Sequence, residues 1–118
     1  MLTLDHVQIA MPAGRESDAR AFFGKLLGLP ELPKPDSLAG RGGCWFQIGD
    51  RELHLGVEAN FKPAKKAHVA LCADNLDRIR AALTAAGRPI MADEPIAGRE
   101  RFFTEDPFGN RLELLQLS

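Results

Sequence analysis

Leu4-Asp5-His6-Val7-Gln8-Ile9 near the start of the chain and Lys66-Ala67-His68-Val69-Ala70-Leu71 in its second half are two versions of one pattern. In each, apolar residues alternate with polar or small ones and a His stands directly before a Val, which is the signature of a half-buried strand. A helical pattern follows both. Ala19, Phe22, Phe23, Leu26 and Leu27 recur at the spacing of one helix face, as do Leu76, Ile79, Leu83 and Ala86. Gly28-Leu29-Pro30 and Gly87-Arg88-Pro89 end the two helices in the same way, with Gly for a left-handed C-terminal residue and Pro two positions on. Asp74 or Asn75 suits the start of the second helix, and Ser17 that of the first.

Each half then closes with a hairpin. Cys44 to Ile48 and Arg51 to Val57 flank Gly49-Asp50, while Arg101 to Thr104 and Arg111 to Leu117 flank Asp106-Pro107-Phe108-Gly109-Asn110. Residues 31–43, rich in Pro and Gly, read as a loop with at most a short strand, and residues 89–98 are their counterpart. The repeat is thus strand, helix, then two or three strands. At about 60 residues it is too short for a stable domain alone, so two copies share a core. Only two copies exist, which excludes a solenoid. The expectation is a single α+β domain spanning residues 1–118, with one module over about 1–60 and another over about 64–118. Together they form a curved mixed sheet with helices on the outer face.

Strand alternation assigns each polar residue a face. Val7, Ile9, Val69 and Leu71 belong under the helices, which turns His6, Gln8, His68, Ala70 and Cys72 to the concave side. Leu53, Leu55 and Val57 likewise turn Glu52, His54 and Gly56 inward, and Leu112 and Leu114 do the same for Arg111 and Glu113. All three His of the chain and Glu113 therefore share one phase. Under the repeat His6 corresponds to His68 and His54 to Glu113, so the expectation is that these four converge on one divalent metal. Imidazoles with a carboxylate suit zinc, nickel, cobalt, iron(II) or manganese.

Composition narrows the partners. The net charge of −1, with 15 Lys and Arg spread along the chain, leaves no basic surface for nucleic acid. No apolar run approaches the roughly 20 residues of a membrane span. Cys44 and Cys72 form no CxxC pair and no secretory leader precedes them, so a cytoplasmic protein with reduced thiols is expected.

Leu4-Asp5-His6-Val7, Leu53-His54-Leu55, Ala67-His68-Val69 and above all Asp106-Pro107-Phe108-Gly109-Asn110-Arg111-Leu112-Glu113-Leu114 resemble the vicinal-oxygen-chelate superfamily. That superfamily contains glyoxalase I, methylmalonyl-CoA epimerase, extradiol dioxygenases, and the fosfomycin- and bleomycin-resistance proteins. The resemblance implies a βαβββ module used twice, with one metal per site held by His6, His54, His68 and Glu113. It also implies a homodimer and a small substrate whose oxygens chelate the metal, which acts as Lewis acid. A glyoxalase-like lyase or isomerase is the first expectation.

Departures from the family patterns keep alternatives in view. Glyoxalase I usually carries Glu or Gln where His54 stands, so His54 is both a candidate ligand and a candidate acid–base group. The chain has no Tyr, which argues against fosfomycin chemistry. Extradiol dioxygenases match His6, His68 and Glu113 as iron ligands and place an acid–base His near His54, but Phe103 stands where they carry Tyr. A drug-binding resistance protein is the non-enzymatic alternative. Gln8, Gln47, Arg101 and Phe103 are candidate substrate contacts, whereas both thiols read as small buried residues.

Overall fold

The computed structural model describes residues 1–118, arranged as two compact units, Met1–Pro63 and Ala64–Ser118. In the first unit, β1 (His6–Met11) leads to α1 (Glu16–Ala19), which continues as a π-helical segment, Arg20–Leu26. Next come β2 (Glu31–Leu32), α2 (Asp36–Ala39), β3 (Cys44–Ile48) and β4 (Arg51–Val57). The second unit contains β5 (Val69–Ala73), α3 (Leu76–Ala85), β6 (Met91–Ala92), β7 (Arg101–Glu105) and β8 (Arg111–Gln116). The class is α+β, and both units are βαβββ modules.

Each module makes a mixed four-stranded sheet, ordered β1-β4-β3-β2 in one and β5-β8-β7-β6 in the other. The first strand of a module lies parallel to its last, and the last is also antiparallel to the strand before it. This topology places residues from the module's beginning, middle and end on three neighbouring strands. Gln8 and Trp45 both stand opposite His54, as Ala70 and Phe103 both stand opposite Glu113.

The helix-covered faces hold the core. Met11, Phe22, Phe23, Cys44, Phe46, Leu53 and Leu55 are buried in the first unit, as are Leu71, Leu76, Leu83, Phe102, Leu112 and Leu114 in the second. Each such side chain contributes about 1.5–3 kcal/mol by leaving water. The alternation of β1, with exposed His6 and Gln8 against half-buried Val7 and Ile9, follows the sequence pattern.

Three local features differ from the sequence expectation. The first helix slips into π geometry, with the Leu27 N–H bonded to the Phe22 carbonyl five residues back. Its N-cap is Arg15, with Ser17 inside the helix, whereas Asn75 caps α3 by accepting from the Arg78 N–H at 3.1 Å. Cys44 is buried as read, but Cys72 is exposed because it lies on the sheet face that α3 does not cover.

Gly43 marks a close crossing in the first unit. Its φ is +84°, and a Cβ there would sit 2.1 Å from the Leu55 carbonyl oxygen. The Gly43 N–H also donates to the Glu16 carboxylate at 2.9 Å, fastening the start of β3 to α1.

Candidate functional site

The open faces of the two sheets carry the chemistry-bearing residues as two pairs. On the first sheet His54 is 4% exposed despite lying on the side away from the helix. Aromatic rings cover it. Trp45 stacks on it at 3.9 Å between centroids and 3° between planes, and His6 stacks at 4.3 Å and 18°. Cross-strand register sets this ladder of rings, because β3, β4 and β1 are adjacent. Glu52, two residues back on the same face, holds its Oε1 2.9 Å from His54 Nε2. His6 is more open, and its Nδ1 lies 2.8 Å from the Asp5 carboxylate, which is held below the usual range by that hydrogen bond.

On the second sheet His68, just ahead of β5, brings Nε2 to 3.0 Å from Glu113 Oε1. The other ring nitrogen, Nδ1, donates to the Lys66 carbonyl oxygen at 2.9 Å, which fixes the ring plane and points Nε2 at Glu113. Glu113 is buried, and its second oxygen lies 3.4 Å from Arg101 Nη1. Phe103 meets the His68 ring edge-on at 5.2 Å, and the Arg111 guanidinium lies 3.7 Å above Phe103.

A divalent ion suits these donors. Imidazole nitrogen and carboxylate oxygen each bind zinc-like ions at about 2.0–2.2 Å, so two ligands on one tetrahedral ion stand roughly 3.4 Å apart. His68 Nε2 and Glu113 Oε1, 3.0 Å apart in a hydrogen bond, need to part only slightly to reach that spacing. Metal-binding His also commonly direct their other nitrogen to a carbonyl or carboxylate, as His68 does to Lys66 and His6 to Asp5. No group of three or more such side chains is gathered, so within each unit the donors come as pairs.

The candidate substrate contacts separate by what already binds them. Gln47 donates its amide to the Gly49 and Arg51 carbonyls at 2.7 and 3.0 Å, bracing its own hairpin. Arg101 is largely buried, donates to the Glu94 carbonyl at 2.7 Å and orients Glu113. Phe103 borders His68, whereas Phe46 and Phe102 are core. Gln8 lies over Gly56, where a Cβ would come within 2.5 Å of its amide nitrogen. Glu52 and Arg111 carry contacts that the sequence did not assign. Their inward phase was legible, but the partners of their side chains were not.

The Asp106–Asn110 turn places Glu113. The Asp106 carboxylate is buried and accepts from the Phe108 and Asn110 N–H groups and the Asn110 amide at 2.8–2.9 Å. Burial pushes its carboxyl above the usual range against those hydrogen bonds. The Asn110 side-chain oxygen in turn accepts from the Ala64 N–H at 3.0 Å, anchoring the segment that leads to His68.

Two βαβββ modules in one chain, each with its first strand parallel to its last, are the architecture of the glyoxalase-like fold. Residues 3–114 match the sequence profile of the Glyoxalase/Bleomycin resistance protein/Dioxygenase superfamily, and the chain belongs to it. A glyoxalase-family structure from Bacillus anthracis is 44% identical, with TM-score 0.93, covering 100% of this chain and 97% of that one. Lactoylglutathione lyase from Agrobacterium tumefaciens is 19% identical, with TM-score 0.73 and coverage of 97% and 92%. A genomically encoded fosfomycin resistance protein from Listeria monocytogenes is 13% identical, with TM-score 0.77 and coverage of 100% and 95%. These last two show the shared fold. No curated protein matches the sequence.

Proposed function

We propose that the protein is a divalent-metal-dependent, glyoxalase-like lyase or isomerase acting on a small substrate with chelating oxygens, with His6, His54, His68 and Glu113 as the metal's donors. The observation that carries this is the His68–Glu113 pair, two donors of ligand type 3.0 Å from each other, with the far nitrogen of His68 already fixed by a carbonyl. The bound ion would supply Lewis acidity to the substrate oxygens. Arg101 orients the Glu113 carboxylate, and Trp45 and His6 hold the His54 ring flat between them. With Glu52 accepting the Nε2 proton of His54, the Nδ1 lone pair is the basic site of that ring. It serves there as a ligand or as the atom that takes a proton from the substrate.

The Glu52–His54 pair also favours a second reading, in which His54 is the acid–base group of an extradiol-dioxygenase-like iron enzyme. Glu52, 2.9 Å from Nε2, fixes the orientation and tautomer of the ring for such a role. Metal analysis of protein purified without chelators or nickel resin separates the two. Nickel, cobalt or zinc with turnover of a hemithioacetal supports the lyase or isomerase, iron with oxygen uptake on catechols supports the dioxygenase, and no stoichiometric metal overturns both. We also propose a homodimer, for which light scattering should give twice the 12.9 kDa chain mass. No helix is long and apolar enough to cross a membrane.

A further inference from the structure

Beside the ring ladder of the first unit lies an open cleft of about 160 Å³. Gln8, Lys34, Leu38, Arg41, Trp45 and Val57 line it, with Gly56 among them. Gly56 shares a strand face with His54, two residues away, and Gln8 and Trp45 both stand opposite His54. The cleft and the imidazoles therefore share walls.

Its chemistry is one-sided. Lys34 and Arg41 are cationic, and no Asp or Glu lines the cleft. Lys34 donates to the Gly42 carbonyl, which draws its ammonium toward the wall. Glu16, whose carboxylate lies beside Gly42 and attracts Lys34, is engaged by the Gly43 N–H at 2.9 Å. Arg41 is exposed, and neither its guanidinium nor the Gln8 amide has a hydrogen-bond partner in the protein. Trp45, Leu38 and Val57 supply apolar surface between these donors. The size suits one ring, since an engineered cavity of about 150 Å³ holds a benzene.

We propose that this cleft is a subsite for a small planar organic carboxylate, with the ring against Trp45 and the carboxylate between Arg41 and Lys34 as a charge-assisted hydrogen-bond acceptor. Gln8 donates its amide at the end facing His54. This names the substrate of the proposed enzyme as an organic acid and in that respect rests on the proposed function. Binding of the carboxylate itself requires no metal.

The chain has one Trp and no Tyr, so its emission reports on Trp45 alone. The test is titration of the full-length protein with benzoate, and with neutral benzamide as its isostere, in the presence and absence of a chelator. Benzoate should change Trp45 emission saturably, with a Kd of about 1 mM or below, and bind at least about tenfold more tightly than benzamide. Arg41→Gln, at an exposed position with no partner to lose, should weaken benzoate at least about tenfold, and Arg41→Lys should restore most of the affinity. Equal binding of benzoate and benzamide, no saturation by about 50 mM, or unchanged benzoate affinity in Arg41→Gln overturns the subsite. Chelator-insensitive benzoate binding in a protein without stoichiometric metal keeps the cleft and removes the metal-dependent function. Loss of benzoate binding in a metal-loaded protein does the reverse.

Discussion

His68 Nε2 stands 3.0 Å from Glu113 Oε1, although 45 positions separate the two residues. Parallel pairing of β5 with β8 brings them together, and Arg101 and Lys66 hold the far sides of the pair. Glu113→Ala, His68→Ala and His6→Ala should each lower divalent-metal affinity at least about tenfold, because loss of a direct ligand should exceed the tenfold-or-greater effects of outer partners. Calorimetric titration checks this, with circular dichroism confirming the fold. Unchanged affinity in any two of the variants rules out the site.

His54 offers a sharper separation, because it has both a carboxylate partner and neighbours of ligand type. As a ligand, its loss depletes the metal; as an acid–base group, its loss leaves metal bound and lowers turnover about a hundredfold or more. We expect ligation, so His54→Ala should lose metal while His54→Gln, which retains an oxygen donor, keeps part of it. Full occupancy and normal affinity in both variants would assign His54 to proton transfer.

Gly43→Ala should destabilise the fold by about 3 kcal/mol or more, since the added Cβ meets a backbone carbonyl that cannot step aside and a positive φ adds strain. Gly40 is the control, with φ of −72° and nothing within 4 Å of its Cβ position. Gly40→Ala should be neutral or stabilising by about 0.4–1 kcal/mol. Urea unfolding of the two variants measures the contrast, and similar losses in both would refute it.

Glu16 makes stability depend on acid. The Gly43 N–H, first among its partners, holds the carboxyl below the usual glutamate range. A carboxyl whose folded value lies below its unfolded value adds stability above the unfolded value, and this is lost as pH falls through the folded one. Glu16→Gln should therefore be less stable than the parent at neutral pH, with the gap closing as pH falls through and below the ordinary glutamate range. A gap that stays constant across that window would show that Glu16 acts through packing alone.

Thr104 is fully buried on β7, and its hydroxyl has no hydrogen-bond partner. Thr104→Val keeps the β-branched shape and removes the unpaired polar atom, so it should stabilise by about 1 kcal/mol. Thermal unfolding with a lowered midpoint would count against this.

The repeat, the βαβββ order and the inward phase of His6, His54, Glu52 and Glu113 were legible in the sequence because alternation and helix periodicity are local. Burial of Leu53 and Leu55 around His54 follows from the same period. What His54 touches does not. Trp45 and His6 flank it only because β3 and β1 border β4, and Glu52 reaches its Nε2 only once those rings fix its plane. Gln47 has the phase of a cleft residue, yet its amide is held by the hairpin carbonyls. Cys72 looked like a core thiol from its small size and is exposed, since no helix covers its face of the sheet. Lys34 and Arg41 lie in a segment without periodicity, so only the folded chain could place two cations beside Trp45. Sequence alone determined which face each strand residue takes, because that depends on its immediate neighbours along the chain. Tertiary structure decided the pairs, because register between strands distant in sequence sets which side chains come within bonding distance.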